Sequence, residues 1–206
     1  SKCKGLMAQF DDLLPYLPAG DYEPLFSKWL KGLNYQIAIS RPRKSKLGDF
    51  RPPRLGQIAR ITMNADLGPF QFLTTLTHEI AHLIAWEKHG RRAAPHGKEW
   101  KAIFREMLIE LVQHQTWPEN YSGALLKHAK SPKAAVGADP HLQRTLLLLD
   151  ESTYLLLQSI APGENFTFKG RNFCYDEKRR TRALVTELGT KKQYTIPLVA
   201  RVERID

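Results

Sequence analysis

The pentapeptide His78-Glu79-Ile80-Ala81-His82 puts two imidazoles four residues apart with a carboxylate between them. Residues four apart on an α-helix share a face, so both rings can reach one ion. Glu79 is rotated away from that face. It can take a proton from a water beside the ion, but it is not placed to be a third ligand. Zinc-assisted amide hydrolysis uses this division of labour: the ion lowers the pKa of bound water to about 7 and a carboxylate takes the proton. Phe72, Leu73, Leu76, Ile80, Leu83 and Ile84 surround the pentapeptide at helical spacing, which predicts a largely buried helix. Histidine and glutamate rarely occupy such a helix unless paired or metal-bound. Gly68-Pro69 suits the start of this helix and Gly90 its end.

A catalytic zinc keeps three protein ligands and one open position. One zinc-peptidase pattern has glycine three residues after the second histidine and histidine six after. Ala85 and Lys88 stand there, which excludes it. His89 shares the face of His82 but lies about 10 Å along the axis. Glu99, Glu106 and Glu110 remain as alternatives from a following helix. His96 is the better candidate, because the break from Gly90 to Pro95 lets the chain turn back just before the next helix opens.

The coarse pattern is α+β. An amphipathic helix is expected over 21–33, a strand over 35–40, a proline-rich basic excursion over 41–55, and a strand over 57–64 with Ala59, Ile61 and Met63 on one face. The motif helix follows, then a helix over 97–115 with Trp100, Phe104, Leu108 and Leu111 as its buried stripe. Residues 131–140 read as a linker, 141–149 as a short helix, and the remainder as four or five short strands. The expected domains are 1–130, a linker at 131–140, and a small antiparallel β-rich domain at 141–206. Trp29, Trp86, Trp100 and Trp117 read as core anchors, Cys174 as a small buried residue, and His114, His128 and His141 as surface residues.

The run FLTTLTHEIAHLIAWEKHGRRAAPHGKEW (72–100) resembles the SprT-like zinc metallopeptidases, the group that includes Spartan proteases acting on DNA–protein crosslinks. IAISRPRKSKLGDFRPP (37–53) with ITMN (61–64) is similar to the basic hairpin region of that family, and NFCYDEKRRTRALV (172–185) echoes its tail. The resemblance implies a zincin-like domain with the H-E-x-x-H helix at its centre. It also implies one Zn2+ per chain held by His78, His82 and His96, with Glu79 as general base. Many members carry a C-terminal zinc ribbon built from cysteine pairs. This chain has only Cys3 and Cys174, so its tail is expected to resemble a ribbon without its cysteines.

Net charge is +10, unevenly spread: residues 41–60 hold seven basic side chains against the single acid Asp49. Basic patches bind nucleic acid without sequence preference and with steep salt dependence. The candidate contacts are Arg41, Arg43, Lys44, Lys46, Arg51 and Arg54, together with Lys178, Arg179, Arg180 and Arg182. Phe50, Phe173 and Tyr175 lie among the charges as possible stacking partners for bases. No signal-peptide core and no apolar run of about 20 residues is present. With two distant cysteines this points to the cytoplasm, in association with the nucleoid for a bacterial chain.

The function expected is zinc-dependent peptide hydrolysis, with DNA-bound or DNA-crosslinked proteins as substrates and an extended substrate paired to the strand at 57–64. Two rivals stand beside it: a nucleic-acid-associated zinc protein with little proteolysis, and a general cytosolic peptidase with incidental charge.

Overall fold

The computed structural model describes residues 10–43, 45–153, 155–198 and 200–205, so the candidate Lys44 lies outside the described residues. The architecture is mixed α+β with two sheets, and the chain divides into two units at Asp150/Glu151.

In the first unit, α1 (Glu23–Leu30) buries Leu25, Phe26, Trp29 and Leu30. It is shorter than the expected 21–33, and the chain turns away through Gly32 at φ +76°. Three strands follow: β1 (Tyr35–Ser40), β2 (Gly48–Arg51) and β3 (Ala59–Asn64). Ala59, Ile61 and Met63 alternate inward on β3, as the two-residue period requires. The sheet order is β1-β3-β2, with β1 parallel to β3 and β2 antiparallel to it. Two expectations are corrected here. The excursion at 41–55 contains a strand, and β3, expected to offer an edge to a substrate, is paired on both sides. The edge strands are β1 and β2.

Helix α2 (Pro69–His89) carries the motif and α3 (Lys98–His114) packs across it, with Trp100, Phe104, Leu108 and Leu111 fully buried. Helices α4 (Glu119–Lys130) and α5 (Pro140–Thr153) complete the unit. The expected linker at 131–140 is not a boundary. It contains a 3-10 turn whose Val136 is buried in the same core as Leu142, Leu146 and Leu149 of α5. The first unit therefore runs on to Asp150, past the expected limit of 130.

Asp150 reaches the far end of the motif helix. Its Oδ1 accepts the Phe70 N–H at 2.8 Å and its Oδ2 accepts the Gln71 N–H at 3.1 Å. Those amides belong to the first turn of α2, where no intrahelical acceptor exists. Glycine at 68 makes room: a Cβ there would lie 2.1 Å from Asp150 Cγ.

The second unit is a six-stranded antiparallel sheet. Its strands are β4 (Leu155–Leu156), β5 (Asn165–Phe168), β6 (Arg171–Lys178), β7 (Arg182–Glu187), β8 (Gln193–Pro197) and β9 (Arg201–Arg204), in the order β4-β9-β5-β6-β7-β8. Phe166, Phe173, Tyr175, Val185 and Ile196 form the centre of its core. Phe173 and Tyr175, expected as base-stacking residues, are thus buried and cannot serve as such. Cys174 points the other way on β6 and is half-exposed, contrary to the burial expected of it.

Replacing Asp150 by Ala leaves a buried and a half-buried helix amide without this acceptor. We expect a loss of about 1–3 kcal/mol, read as a lower urea midpoint at unchanged slope. An unchanged midpoint would show that the amides find another acceptor.

Candidate metal centre

His78 and His82 project from one face of α2, and His96 approaches from the segment before α3. Their Nε2 atoms form a triangle: 3.2 Å from His78 to His82, 3.2 Å from His78 to His96 and 3.0 Å from His82 to His96. Three imidazoles ligating one zinc at about 2.0–2.1 Å in tetrahedral geometry would hold their nitrogens about 3.3 Å apart. The donor set, its spacing and the open side toward a cleft of about 760 Å³ fit a divalent zinc-type ion. His96 completes the set, and Glu99, Glu106 and Glu110 do not join it.

The rings are kept neutral, as ligands must be. Burial pushes the His78 pKa down to about 2, helped by His82, His96 and His128. Burial, then His96, brings His82 down to about 4, while burial and Lys101 lower His96.

Trp100 forms the floor of the site. Its ring centroid lies 4.6 Å from that of His78, 5.1 Å from His82 and 4.7 Å from His96. Phe50 of β2 stacks on His82 with an interplanar angle of 5°. His96 itself sits at φ +58°, the left-handed region that a non-glycine residue enters at a cost. This conformation closes a turn in which the Gly97 N–H donates to Ala94 O at 2.9 Å. The strained residue is the one whose ring must turn back onto α2.

Glu79 is 7% exposed and faces β2. Burial, then the charge of Asp49, pushes its carboxyl up to about 8, opposed by the Phe50 backbone N–H that it accepts. A cation on the three histidines would act in the opposite sense. Gly48 lets the strand come this close. A Cβ there would lie 3.0 Å from Glu79 Cγ, 3.0 Å from Met63 Sδ and 3.1 Å from Thr75 Cγ2.

A sequence model of the SprT-like family matches residues 26–116. Over these residues, fewer than half of the chain, it is similar to the SprT-like family. Proteins named Protein SprT are similar to it. The one from Enterobacter sp. (strain 638) is 42% identical over 52 residues, 20% of this chain and 31% of that protein. Those from Pseudomonas fluorescens (strain SBW25) and Escherichia coli (strain SMS-3-5 / SECEC) are 55% and 58% identical over 31 residues, 15% of this chain and 19% and 18% of theirs. The matches thus span less than a third of the length of these relatives. No solved structure matches the chain significantly.

The basic candidates separate into two kinds. Arg43, Lys46 and Arg51 converge on Asp49: Arg43 pairs with its Oδ1, while Lys46 and Arg51 lie 3.2 and 3.0 Å from its Oδ2. Arg43 also donates to Asn64 Oδ1 at 2.8 Å and Thr62 O at 3.1 Å. Buried Asn64 returns bonds to the Arg43 and Lys46 carbonyls at 3.1 and 2.9 Å. Burial raises the Asp49 pKa, but the bonds from Arg43 and Lys46 outweigh it and hold the carboxyl below its usual value. This network anchors the loop that delivers β2 to Glu79. Arg41 and Arg54 are exposed, as are Lys178, Arg179 and Arg180 on the turn between β6 and β7. Arg182 donates to Thr195 Oγ1 on β8. Trp86, expected in the core, is half-buried and lines the cleft.

Sequence reasoning missed Gly48, the Phe50 amide, Asp49 as an anchor and Trp100 as the floor. The adjacency Gly48-Asp49-Phe50 inside a basic stretch is the only local hint.

Gly48→Ala should push β2 off the motif helix at a cost of about 1–3 kcal/mol. The check is chemical unfolding, and an unaltered midpoint would mean that Glu79 and Met63 give way freely.

Proposed function

We propose that this protein is a zinc-dependent peptidase of zincin-like build. The observation that carries the reading is the triangle of three imidazole nitrogens with the buried Glu79 carboxyl group lining the same cleft. His78, His82 and His96 would hold the ion. When bound, zinc supplies Lewis acidity, acidifying a water and polarising a carbonyl. The chain supplies the rest. Glu79, steadied by the Phe50 amide, takes a proton at its carboxylate and afterwards delivers it to the departing amine. An extended substrate would pair with the edge strand β2, whose Gly48, Asp49 and Phe50 line the cleft. Ala85, Ala93, Ala94, Pro95 and Val136 give that cleft apolar walls for substrate side chains.

The substrates we infer are proteins bound or crosslinked to DNA. The support is the net charge of +10 and two exposed groups of basic residues, Arg41 with Arg54 and Lys178 with Arg179 and Arg180. On this reading the C-terminal sheet is a ribbon-like module that stands on its hydrophobic core, and its β6–β7 turn presents three cations to phosphates. Of the three residues gathered on Asp49, Arg43 is left out of this interface, since it is half-buried and tied to Asp49, Asn64 and the Thr62 carbonyl.

Glu79→Gln should keep zinc and fold but lose at least ~100-fold in turnover on a casein or histone substrate, because an amide cannot take the proton. Unchanged turnover removes Glu79 from the mechanism.

Reversing the charge of Lys178, Arg179 and Arg180 together should flatten the salt dependence of DNA binding by up to about three in the log–log slope. An unaltered slope would assign the turn to solubility alone.

A further inference from the structure

His128 stands outside the three-histidine triangle and was expected at the surface, yet on α4 it is 1% exposed. Its Nδ1 lies 2.8 Å from Asp139 Oδ2. The other oxygen of Asp139 accepts the backbone N–H groups of His141 and Leu142, both at 3.1 Å, at the start of α5. Burial raises the Asp139 pKa, but the bonds from His128 and the Leu142 amide outweigh it and hold the carboxyl below its usual value. An ionised carboxylate only accepts, so the proton between the two residues sits on His128 Nδ1. A neutral ring then presents a bare lone pair at Nε2. That Nε2 is buried and meets no partner among the described residues.

His78 has the complementary deficiency. Its Nε2 faces His82 and His96 and must keep a lone pair there, so its proton sits on Nδ1. That Nδ1 is also buried and without a partner. One orphan is a donor and the other an acceptor, and a buried polar group left unpaired destabilises the fold. The Phe104 ring touches both imidazoles, with centroids 5.2 Å from His78 and 5.8 Å from His128. Trp100, whose ring packs on His78, contributes a third buried polar atom without a partner, its indole Nε1–H.

We propose that His128 is a positioning residue for His78: across one buried water its Nε2 accepts the His78 Nδ1–H, and the Asp139–His128 pair thereby fixes the tautomer and ring angle of the first histidine of the triangle. The inference rests on the three-histidine metal centre proposed above. A histidine ligand whose second nitrogen is held in this way is a better-oriented and more basic ligand.

Zinc affinity of the full chain, measured by competition with a chromophoric chelator, tests this. His128→Phe fills the space but offers no acceptor, and should weaken zinc by roughly 10–100-fold. His128→Gln restores a carbonyl acceptor and should recover most of that loss. Asp139→Asn can keep the cap of α5 through its carbonyl oxygen while its amide donates to His128. The His128 proton then moves to Nε2, facing the His78 donor, and zinc should weaken likewise. Nitrogen NMR of zinc-loaded protein adds a readout that packing alone would not move. It should show His78 as the Nδ1–H tautomer with a slowly exchanging ring proton, and faster exchange in His128→Phe. If His128→Phe does not fold, Asp139→Asn decides. Wild-type affinity in both variants, with affinity lost in His78→Ala, overturns the positioning role and leaves the metal centre standing. Wild-type affinity in His78→Ala overturns the centre itself.

Discussion

Helix α2 is enclosed along most of its length, so a polar side chain on its buried faces either finds a partner inside the protein or, like the Thr75 hydroxyl, goes without one among the described residues. Thr77 returns its hydroxyl to Leu73 O at 2.8 Å. Thr74 does the same to Phe70 O at 2.8 Å and meets the Tyr121 hydroxyl at 3.0 Å. His78 and Glu79 have no such local solution. Their partners come from elsewhere in the fold: His96 from beyond the Gly90 break, Trp100 from α3, the Phe50 amide from β2. The arrangement of the first unit around α2 can be understood as the set of elements needed to answer those two side chains.

The charge of the chain has a second use besides any contact with phosphates. Asp49 sits at the middle of β2 and gathers Arg43, Lys46 and Arg51 around it, while Asn64 ties the preceding loop to β3. Positive residues close in sequence thus fold a loop, and the strand they steady carries the amide that meets Glu79. Counting basic residues in this region overstates the surface left for a polyanion.

Much of the α2–α3 pair is legible in the chain itself, because long apolar stripes, a proline at the start and a glycine at the end all agree. His96 is legible because the break after Gly90 leaves few ways to bring a third nitrogen back. Strand β2 escapes notice for a physical reason: four residues beginning with glycine have too few side chains to show alternation, and cross-strand pairing with β3 does the specifying. The apparent linker at 131–140 misleads because small residues that suit a flexible connection also suit close packing under Val136. His128 looked like a surface histidine because its partner Asp139 lies on the next element, at a spacing that no helical or strand period predicts.

The carboxylate of Asp150 bonds amides 80 and 79 residues earlier in the chain. During synthesis, then, the motif helix emerges long before the group that finishes its first turn. A nascent chain that has exposed both motif histidines still lacks this closing contact, and any truncation before residue 150 removes it for good. Completion of the motif helix is in this way tied to completion of the whole first unit.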